Sequence, residues 1–444
     1  MDTRKSLSGL AIVIAMMLPG GSASAADVFE PPLRLQADGK VIDTGEAWGH
    51  SSPCVIDLNG DGLNDLLVGD FGGKFHIYKN VGKANAPAYQ ADGLLQAGGV
   101  DAEVHIYCCI GAQVRFHDLD GDGIGDLISN SYDPGHAYLF RGMPDHGFAA
   151  REELLDKSGV PIRSSPVQKQ NYQSFGSFYD AVDWDGDGDL DLLIGCFSGE
   201  LKVRINEGAK QSPRFASENI AVEAGGVPLK VKAHLCPVVA DWDGDGLWDI
   251  IAGSDDGSVT WFRNVGQKKS PAFPAGEILV KPHEGNGFNG YNLALWKKDD
   301  VIPGIRSQPE VVDFNGDGKL DLLVGDFYTA YDFRDDLSDA EQQQVKKLIE
   351  EAKSGGSVMA DKMKALQEDF RKRYPGDEIF SDKADKEWSA AYRAMRESPE
   401  AKLSEAKSKV FTEKLRRFVT AGGDERGGGD LAKSHGHVWL YIRK

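Results

Sequence analysis

The segment DWDGDGDLD places Asp183, Asp185, Asp187, Asp189 and Asp191 within nine residues and runs directly into the apolar stretch DLLIG. Carboxylates this close repel one another, and alone such a segment stays open and solvated. A bound cation removes the conflict. The pattern returns as DLNGDGLND at 57–65, DLDGDGIGD at 118–126, DWDGDGLWD at 241–249 and DFNGDGKLD at 313–321. Each copy keeps a carboxylate at positions 1, 5 and 9, Asp or Asn at position 3, and Gly at positions 4 and 6. Oxygen ligands at alternating positions suit a hard cation with six or seven ligands, calcium rather than zinc, whereas magnesium demands a stricter octahedron with more retained water. Position 7 (Leu63, Ile124, Asp189, Leu247, Lys319) varies freely, as it does when only the backbone carbonyl binds. The glycines let the loop turn tightly enough to aim its oxygens inward. An EF-hand starts the same way but needs Glu at position 12, where this chain has Val68, Ser129, Ile194, Ala252 or Val324. The alternative is a set of Asp/Gly-rich turns without metal, which would leave five like-charged clusters opposing the fold.

The elements that must position these loops are short and β-like. The loop starts are 61, 65, 58 and 72 residues apart, lengths that suit one four-stranded propeller blade per repeat. In 238–280, VVADWD reads as an inner strand, DIIAG as a second, GSVTWFRNVG as a third and AFPAGEILV as a fourth. The last repeat is interrupted: after DLLVGDFY (321–328) about 105 helix-rich residues precede HVWLYIRK (437–444), which supplies the third strand, and VFEPPLRLQADGKVID (28–43) supplies the fourth. Both ends of the chain thus share a blade, which closes the ring and removes sheet edges. The expected fold is mainly β, a five-bladed propeller with an α-helical insertion in its last blade; six or seven blades is the alternative, with any further blades concealed by the insertion. Its parts are a leader at 1–25, the propeller at 26–327 and 433–444, and the insertion at 328–432.

This repeat resembles the FG-GAP or VCBS repeat of integrin α-subunit propellers and many secreted bacterial proteins, over roughly 28–327 and 436–444. The resemblance implies calcium bound through positions 1, 3, 5 and 9. That carries onto Asp57, Asn59, Asp61 and Asp65; Asp118, Asp120, Asp122 and Asp126; Asp183, Asp185, Asp187 and Asp191; Asp241, Asp243, Asp245 and Asp249; and Asp313, Asn315, Asp317 and Asp321. About five structural Ca2+ follow. Integrins have seven such blades, and nothing else here resembles an integrin, so adhesion does not transfer.

The chain has 444 residues, 41% of them hydrophobic, and a formal net charge of −19. Arg4 and Lys5, then LAIVIAMML at 10–18 and Ala23-Ser24-Ala25, read as a secretory signal cleaved after Ala25. The apolar run is too short to span a bilayer as an anchor. A secreted or periplasmic protein with no integral membrane segment after cleavage is expected, and the acidic surface argues against nucleic acid and anionic lipid.

Residues 338–418 are rich in Ala, Glu, Lys and Gln, with Met359, Met363, Leu366 and Phe370, then Trp388, Tyr392 and Met395, then Phe411, Leu415 and Phe418 at helical spacing. Ser398-Pro399-Glu400 reads as a helix start, and GGDERGGGD (422–430) as the return linker. The stripes read first as packing surfaces. The insertion leaves from a turn between second and third strands, on the face opposite the acidic loops, and there it acts as a lid.

On that lidded face the candidate ligand residues are His50, Asp70, His105, His234, Arg306 and Asp326, with Phe71, Tyr107, Phe197 and Tyr328 as aromatic contacts. Cys54, Cys108, Cys109, Cys196 and Cys236 fall in the same segments; disulfides, buried thiols, or a soft-metal or redox site at the axis using some of them with His50 and His234 all remain open. No G-x-S-x-G, H-E-x-x-H or P-loop is present. The leading expectation is a binding module for a glycan or an extracellular protein. The rival is a polysaccharide lyase or hydrolase using Asp70, Asp326 and Arg306 as acid, base and charge clamp.

Overall fold

The computed structural model describes residues 28–47, 49–104, 111–132, 134–164, 176–282, 303–331, 333–374, 381–420 and 431–444. The expected leader, His105, Tyr107, Cys108, Cys109 and the whole of the expected return linker lie outside the described residues.

Each acidic loop joins the first two of four antiparallel strands; the first sheet is extended to six strands by Gln36–Ala37, which pairs parallel to Tyr89–Leu94, and Lys40–Val41. Sheet A is built from Ser52–Ile56, Asp65–Gly69, Phe75–Asn80 and Tyr89–Leu94. Sheet B holds Val114–His117, Asp126–Asn130, Ala137–Phe140 and Glu152–Glu153, and sheet C holds Phe178–Val182, Asp191–Gly195, Leu201–Arg204 and Ile220–Ala221. Sheet D is Cys236–Ala240, Asp249–Gly253, Val259–Phe262 and Glu277–Val280. Sheet E takes Ile305–Val312 and Asp321–Tyr331 from the last repeat, Val438–Tyr441 from the C-terminus and Leu33–Arg34 from the N-terminal segment. Leu33 pairs with Leu440 and Arg34 with Trp439, so the two ends of the chain meet in one sheet.

No sheet closes on itself; successive sheets are joined by apolar side chains and by backbone hydrogen bonds such as Ser51 N to Asp326 O (3.0 Å) and Ala112 N to Asp70 O (2.9 Å). Five apolar cores lie between successive sheets. Leu67 and Phe75 meet Val114 and Leu127 between A and B, and Ile128 and Leu139 meet Tyr179 and Ile194 between B and C. Leu193 and Val203 meet Ile250 and Phe262 between C and D, and Ile251 and Val259 meet Leu322 and Trp439 between D and E. Leu323 and Val438 meet Leu66 and Val68 between E and A. The second strands are buried on both faces, which explains their continuous apolar runs. First strands touch in the same cyclic order. This is a β-propeller arrangement.

The glycine that ends DLLVG, DLLIG or DIIAG permits this packing. A Cβ at Gly69, Gly195, Gly253 or Gly325 would lie within 2.0 Å of the carbonyl oxygen of Ala112, Leu235, Ser307 or Ser51 in the next sheet. Sheet B has Asn130 there, and its side-chain amide donates to Ser177 O at 2.9 Å instead.

The axis is filled. Arg115 of sheet B donates to Pro237 O of sheet D (3.0 Å) and Pro309 O of sheet E (2.8 Å), and pairs with Glu310 at 3.3 Å. Glu310 accepts Val55 N of sheet A, while Asp180 of sheet C accepts Val239 N and sits 2.5 Å from His117 Nε2. All five first strands are thereby tied to one buried ion-pair network.

Helices α1 (Asp339–Arg373), α2 (Asp382–Glu397) and α3 (Pro399–Leu415) form the insertion. Ser338 and Glu341 make a reciprocal capping box, and Ser398 caps α3 with Pro399 at its first turn. The second strand of sheet E runs on to Tyr331 and pairs there with Ala432–His435, giving the insertion a two-stranded stalk. Tyr331 packs against Val345, Ile349, Leu415 and Phe418. Phe370 is buried and meets Trp388 edge-on at 5.1 Å. Among the described residues no helix is long and apolar enough to cross a membrane.

Candidate functional site

The acidic loops are alike in sequence and divide into two kinds in structure. In 57–65, Asp57 Oδ1 accepts the amides of Gly60 (2.8 Å) and Asp61 (3.2 Å), and its Oδ2 accepts Gly62 N (2.9 Å). Asp313 repeats this with Gly316, Asp317 and Gly318. The position-3 Asn of each loop also bonds to the position-5 Asp. In the three loops with Asp at position 3 the first carboxylate is left short: Asp118 Oδ1, Asp183 Oδ1 and Asp241 Oδ1 are buried and accept no hydrogen bond. These same residues gather. Carboxylate oxygens of Asp118, Asp120 and Asp122 lie within 4.8 Å of one another, as do those of Asp183, Asp185 and Asp191, and of Asp241, Asp243 and Asp245. A buried carboxylate oxygen without a donor costs about 1–3 kcal/mol or more, so oxygen-rich clusters with such atoms suit a hard cation.

Neutralising groups differ further. Arg141 pairs with Asp120, and Arg263 pairs with Asp243 at 2.6 Å and Asp245 at 3.2 Å. Loop 183–191 has Ile205 at the corresponding place on its third strand. Asp189 and Asp191 there are pushed up to about 6, by burial first; the neighbouring carboxylates add to it. Asp189 Oδ1 is buried without a donor as well.

Position 9 has a second role. Asp65, Asp126, Asp191, Asp249 and Asp321 are buried, and each spends one oxygen on the amide of loop position 2 and the other on an amide at or just past the end of the third strand. The latter donors are Asn80, Gly142, Asn206, Asn264 and Arg443, at 2.6–2.8 Å. Asn80, Asn206 and Asn264 then accept two amides each through Oδ1, fixing the next turn. The recurring N-x-G in KNVG, INEG and RNVG signals this staple in the sequence.

At the opposite ends of the first strands, His50, His234 and Arg306 have φ of 58°, 51° and 57°. Each stands two residues before the residue paired with the terminal glycine of the second strand: Ser52, Cys236 and Gln308. The equivalent residue of sheet C is Gly176, with φ of 62°. Glycine adopts this conformation freely, whereas another residue costs about 1–2 kcal/mol. Three strained, chemically active side chains at equivalent positions mark a site worth that cost.

They converge. Arg306 NH1 is 3.1 Å from His50 Nε2, and Arg306 Nε is 3.4 Å from Asp255 Oδ1. His234 Nδ1 lies 3.0 Å from the same Asp255 oxygen. His50 stacks on Phe327 (4.3 Å) and Phe71 (5.1 Å), and Phe197 lies 4.2 Å from His234. Burial, then the charge of Arg306, holds His50 well below its ordinary range; burial also lowers His234 and Arg306. Burial alone would raise Asp255, but His234 and Arg306 outweigh it and hold the carboxyl at about 2. The cluster is therefore one guanidinium, one carboxylate and two neutral imidazoles on an aromatic bed. Asp255 is absent from the sequence expectations; its signal was the second-to-third-strand turn SDDG it shares with Asp256.

The other expected ligand residues turn into their own sheets. Asp70 bonds to Lys74 N and His76 Nε2. Asp326 accepts Gly304 N, His437 N and Trp439 Nε1 at 2.6–2.7 Å and is raised to about 7 by burial. Cys54, Cys196 and Cys236 are free, buried thiols. Burial raises all three, Cys196 to about 11 and Cys236 to about 12, which disfavours the thiolate that a metal needs.

Residues 241–324 match the family model of the FG-GAP-like repeat. The match runs from the start of the fourth acidic loop through the fifth and into the strand that follows it. Integrin alpha-PS2 of Drosophila melanogaster is 28% identical over 204 residues, 39% of this chain. The chain spans 13% of that relative's length. Among solved structures, the catalytic domain of Coprinopsis cinerea GH62 alpha-L-arabinofuranosidase aligns with a TM-score of 0.39 at 14% identity, covering 68% of this chain and 91% of that one. The GH43_1 enzyme from Xanthomonas citri complexed with xylose aligns with a TM-score of 0.39 at 10% identity, covering 68% and 88%.

Proposed function

We propose that this chain is an exported, calcium-stabilised propeller of five blades that binds a glycan or an extracellular protein on the face holding His50, His234, Arg306 and Asp255. The observation that carries the reading is backbone strain kept at three equivalent positions whose side chains meet in one cluster, where sheet C uses glycine. Aromatic rings with a fixed guanidinium and carboxylate provide stacking and directional hydrogen bonds, the means by which sugar hydroxyls or protein side chains are held. The helical insertion rises from the stalk at this end and acts as a lid. About five Ca2+ hold the acidic loops at the other end.

The test separates binding from stability. His234→Gly removes a strained side chain and leaves a residue that accepts the left-handed conformation without cost. On a glycan and extracellular-protein array the variant loses the signal of the unaltered chain while keeping its melting temperature within a few degrees. Retained binding overturns the proposed face. A polysaccharide lyase or hydrolase is the second reading, favoured by Asp255 being held ionised beside two imidazoles; release of new sugar ends from an array-positive polysaccharide decides for it.

A further inference from the structure

A second cluster of ligating groups lies away from the acidic loops and shares no side chain with the cluster around Arg306, although the backbone of His50 adjoins it. The triplet His435-Gly436-His437 lies where the stalk enters the third strand of sheet E, and alternation along an extended chain puts its two imidazoles on one side. The rings are 6.1 Å apart and within 22° of parallel, and Tyr328 lies against both at 4.9 and 5.2 Å. Asp43 arrives from the other end of the chain, bridged to His437. Gly436 allows the approach, because a Cβ there would come within 2.6 Å of Thr44 Oγ1 and His50 N.

The carboxylate is oriented before any ligand arrives. Asp43 Oδ1 accepts Gly45 N at 2.9 Å and Gly436 N at 3.1 Å, which turns Oδ2 to the histidines. Oδ2 is 2.8 Å from His435 Nδ1 and 3.8 Å from His437 Nε2, and all three ligand atoms lie within 4.8 Å of one another. A tetrahedral ion with bonds of about 2.0–2.1 Å holds its ligand atoms about 3.4 Å apart, a spacing that the two gaps from Asp43, 2.8 and 3.8 Å, bracket. His437 is 3% exposed at its side chain, and its Nδ1 is buried without a hydrogen-bond partner. Asp43 is 31% exposed, which leaves one side open for water as a further ligand.

We propose that Asp43, His435 and His437 bind one divalent transition metal, zinc in the first instance, as a clamp joining the N-terminal segment to the return strand of the helical insertion. Two imidazoles and a carboxylate suit such an ion, whereas calcium takes oxygen ligands alone. Backbone donors holding the far oxygen of a ligating carboxylate are a usual support of such centres. The clamp spans 392 residues of sequence, so the ion stabilises the meeting of the chain's two ends.

The full chain, stripped of metal and returned to saturating calcium, is titrated with Zn2+ and, in parallel, with Co2+. One equivalent binds and raises the melting temperature, and the Co2+ form shows the visible absorption of a low-symmetry nitrogen and oxygen site. Asp43→Asn and His435→Gln, both on the solvent side, each weaken uptake by more than about tenfold and remove the Co2+ absorption while calcium binding stays unchanged. His437→Gln does the same where it folds. Uptake unaltered in Asp43→Asn and His435→Gln, or no uptake by the unaltered chain, overturns the proposal. Because calcium occupancy and array binding are read separately, failure here leaves the reading of the ligand face standing.

Discussion

Loops 57–65 and 183–191 obey one motif, yet they handle negative charge in opposite ways. In the first, Asn59 stands at position 3, Leu63 at position 7, and Asp57 spends both oxygens on backbone amides. In the second, five carboxylates crowd together, Asp183 and Asp189 each keep a buried oxygen without a donor, and among the described residues no arginine pairs with them. One loop meets its first carboxylate with backbone amides, and the other leaves carboxylate oxygens without donors. A repeat motif therefore fixes a backbone path more firmly than it fixes an ion site. Loops 118–126 and 241–249 lie between, since Arg141 and Arg263 supply part of the missing positive charge.

The largest effect should come from removing calcium altogether. An ion bound only by the folded chain contributes about 3 kcal/mol at free concentrations about a hundredfold above its Kd, and the contributions of several loops add. Scanning calorimetry in excess EDTA should show a melting temperature far below that in millimolar calcium. Coincident transitions would mean that the acidic loops are turns and nothing more.

Next in size is a test of position 9 across the two kinds of loop. Asp249→Asn and Asp321→Asn each replace an acceptor of two backbone amides by a group with one acceptor oxygen, leaving a buried N–H short at a cost of about 1–3 kcal/mol. Chemical denaturation in EDTA should give similar losses for both variants. A larger loss for Asp249→Asn once calcium is added would make that carboxylate a ligand as well as a staple, whereas equal losses in both conditions confine it to stapling.

The axis offers a contrast in which buried carboxylates face a guanidinium, an imidazole and backbone amides. Glu310 sits with Arg115, near Asp180 and His117, and burial pushes its carboxyl up to about 7 from an ordinary 4.5 despite the guanidinium. A raised acid favours the fold while protonated, so its contribution is complete below pH about 4.5 and is lost as pH rises toward about 7. Relative to the unaltered chain, Glu310→Gln should gain stability across that window and track it in parallel above. A difference that does not change with pH would show that Arg115 keeps Glu310 ionised throughout.

How much of this could be read from the sequence follows from the range of each interaction. The acidic loops and the sharing of sheet E by both termini were legible because both follow from a local pattern repeated along the chain. The cluster of His50, His234, Arg306 and Asp255 was legible only in part. Its histidines and arginine sit in recognisable segments before first strands, but which of them meet depends on how sheets A, D and E are turned about the axis. Asp70 and Asp326 share the context GDF, yet each is consumed within its own sheet, by His76 in one case and by Trp439 in the other. Asp43 and the two histidines near the C-terminus lie almost the whole chain apart, and no local pattern announces their meeting.

The smallest expected effect bears most directly on what makes two loops of one motif differ. Arg263 reaches from the third strand to Asp243 and Asp245, the side chains that would face an ion in loop 241–249, and it occupies the place that Ile205 holds beside loop 183–191. A guanidinium there both relieves the carboxylates and competes with calcium for them, so its removal should cost little while sharpening the demand for the cation. Arg263→Ile should therefore lower the melting temperature slightly in EDTA, and isothermal titration should show calcium binding to one loop tightening several-fold with the other loops unaffected. Weaker binding instead would mean that Arg263 holds Asp243 and Asp245 in place for the ion, making the arginine a positioning residue and leaving Asp189, the extra carboxylate at position 7, as the feature that sets loop 183–191 apart.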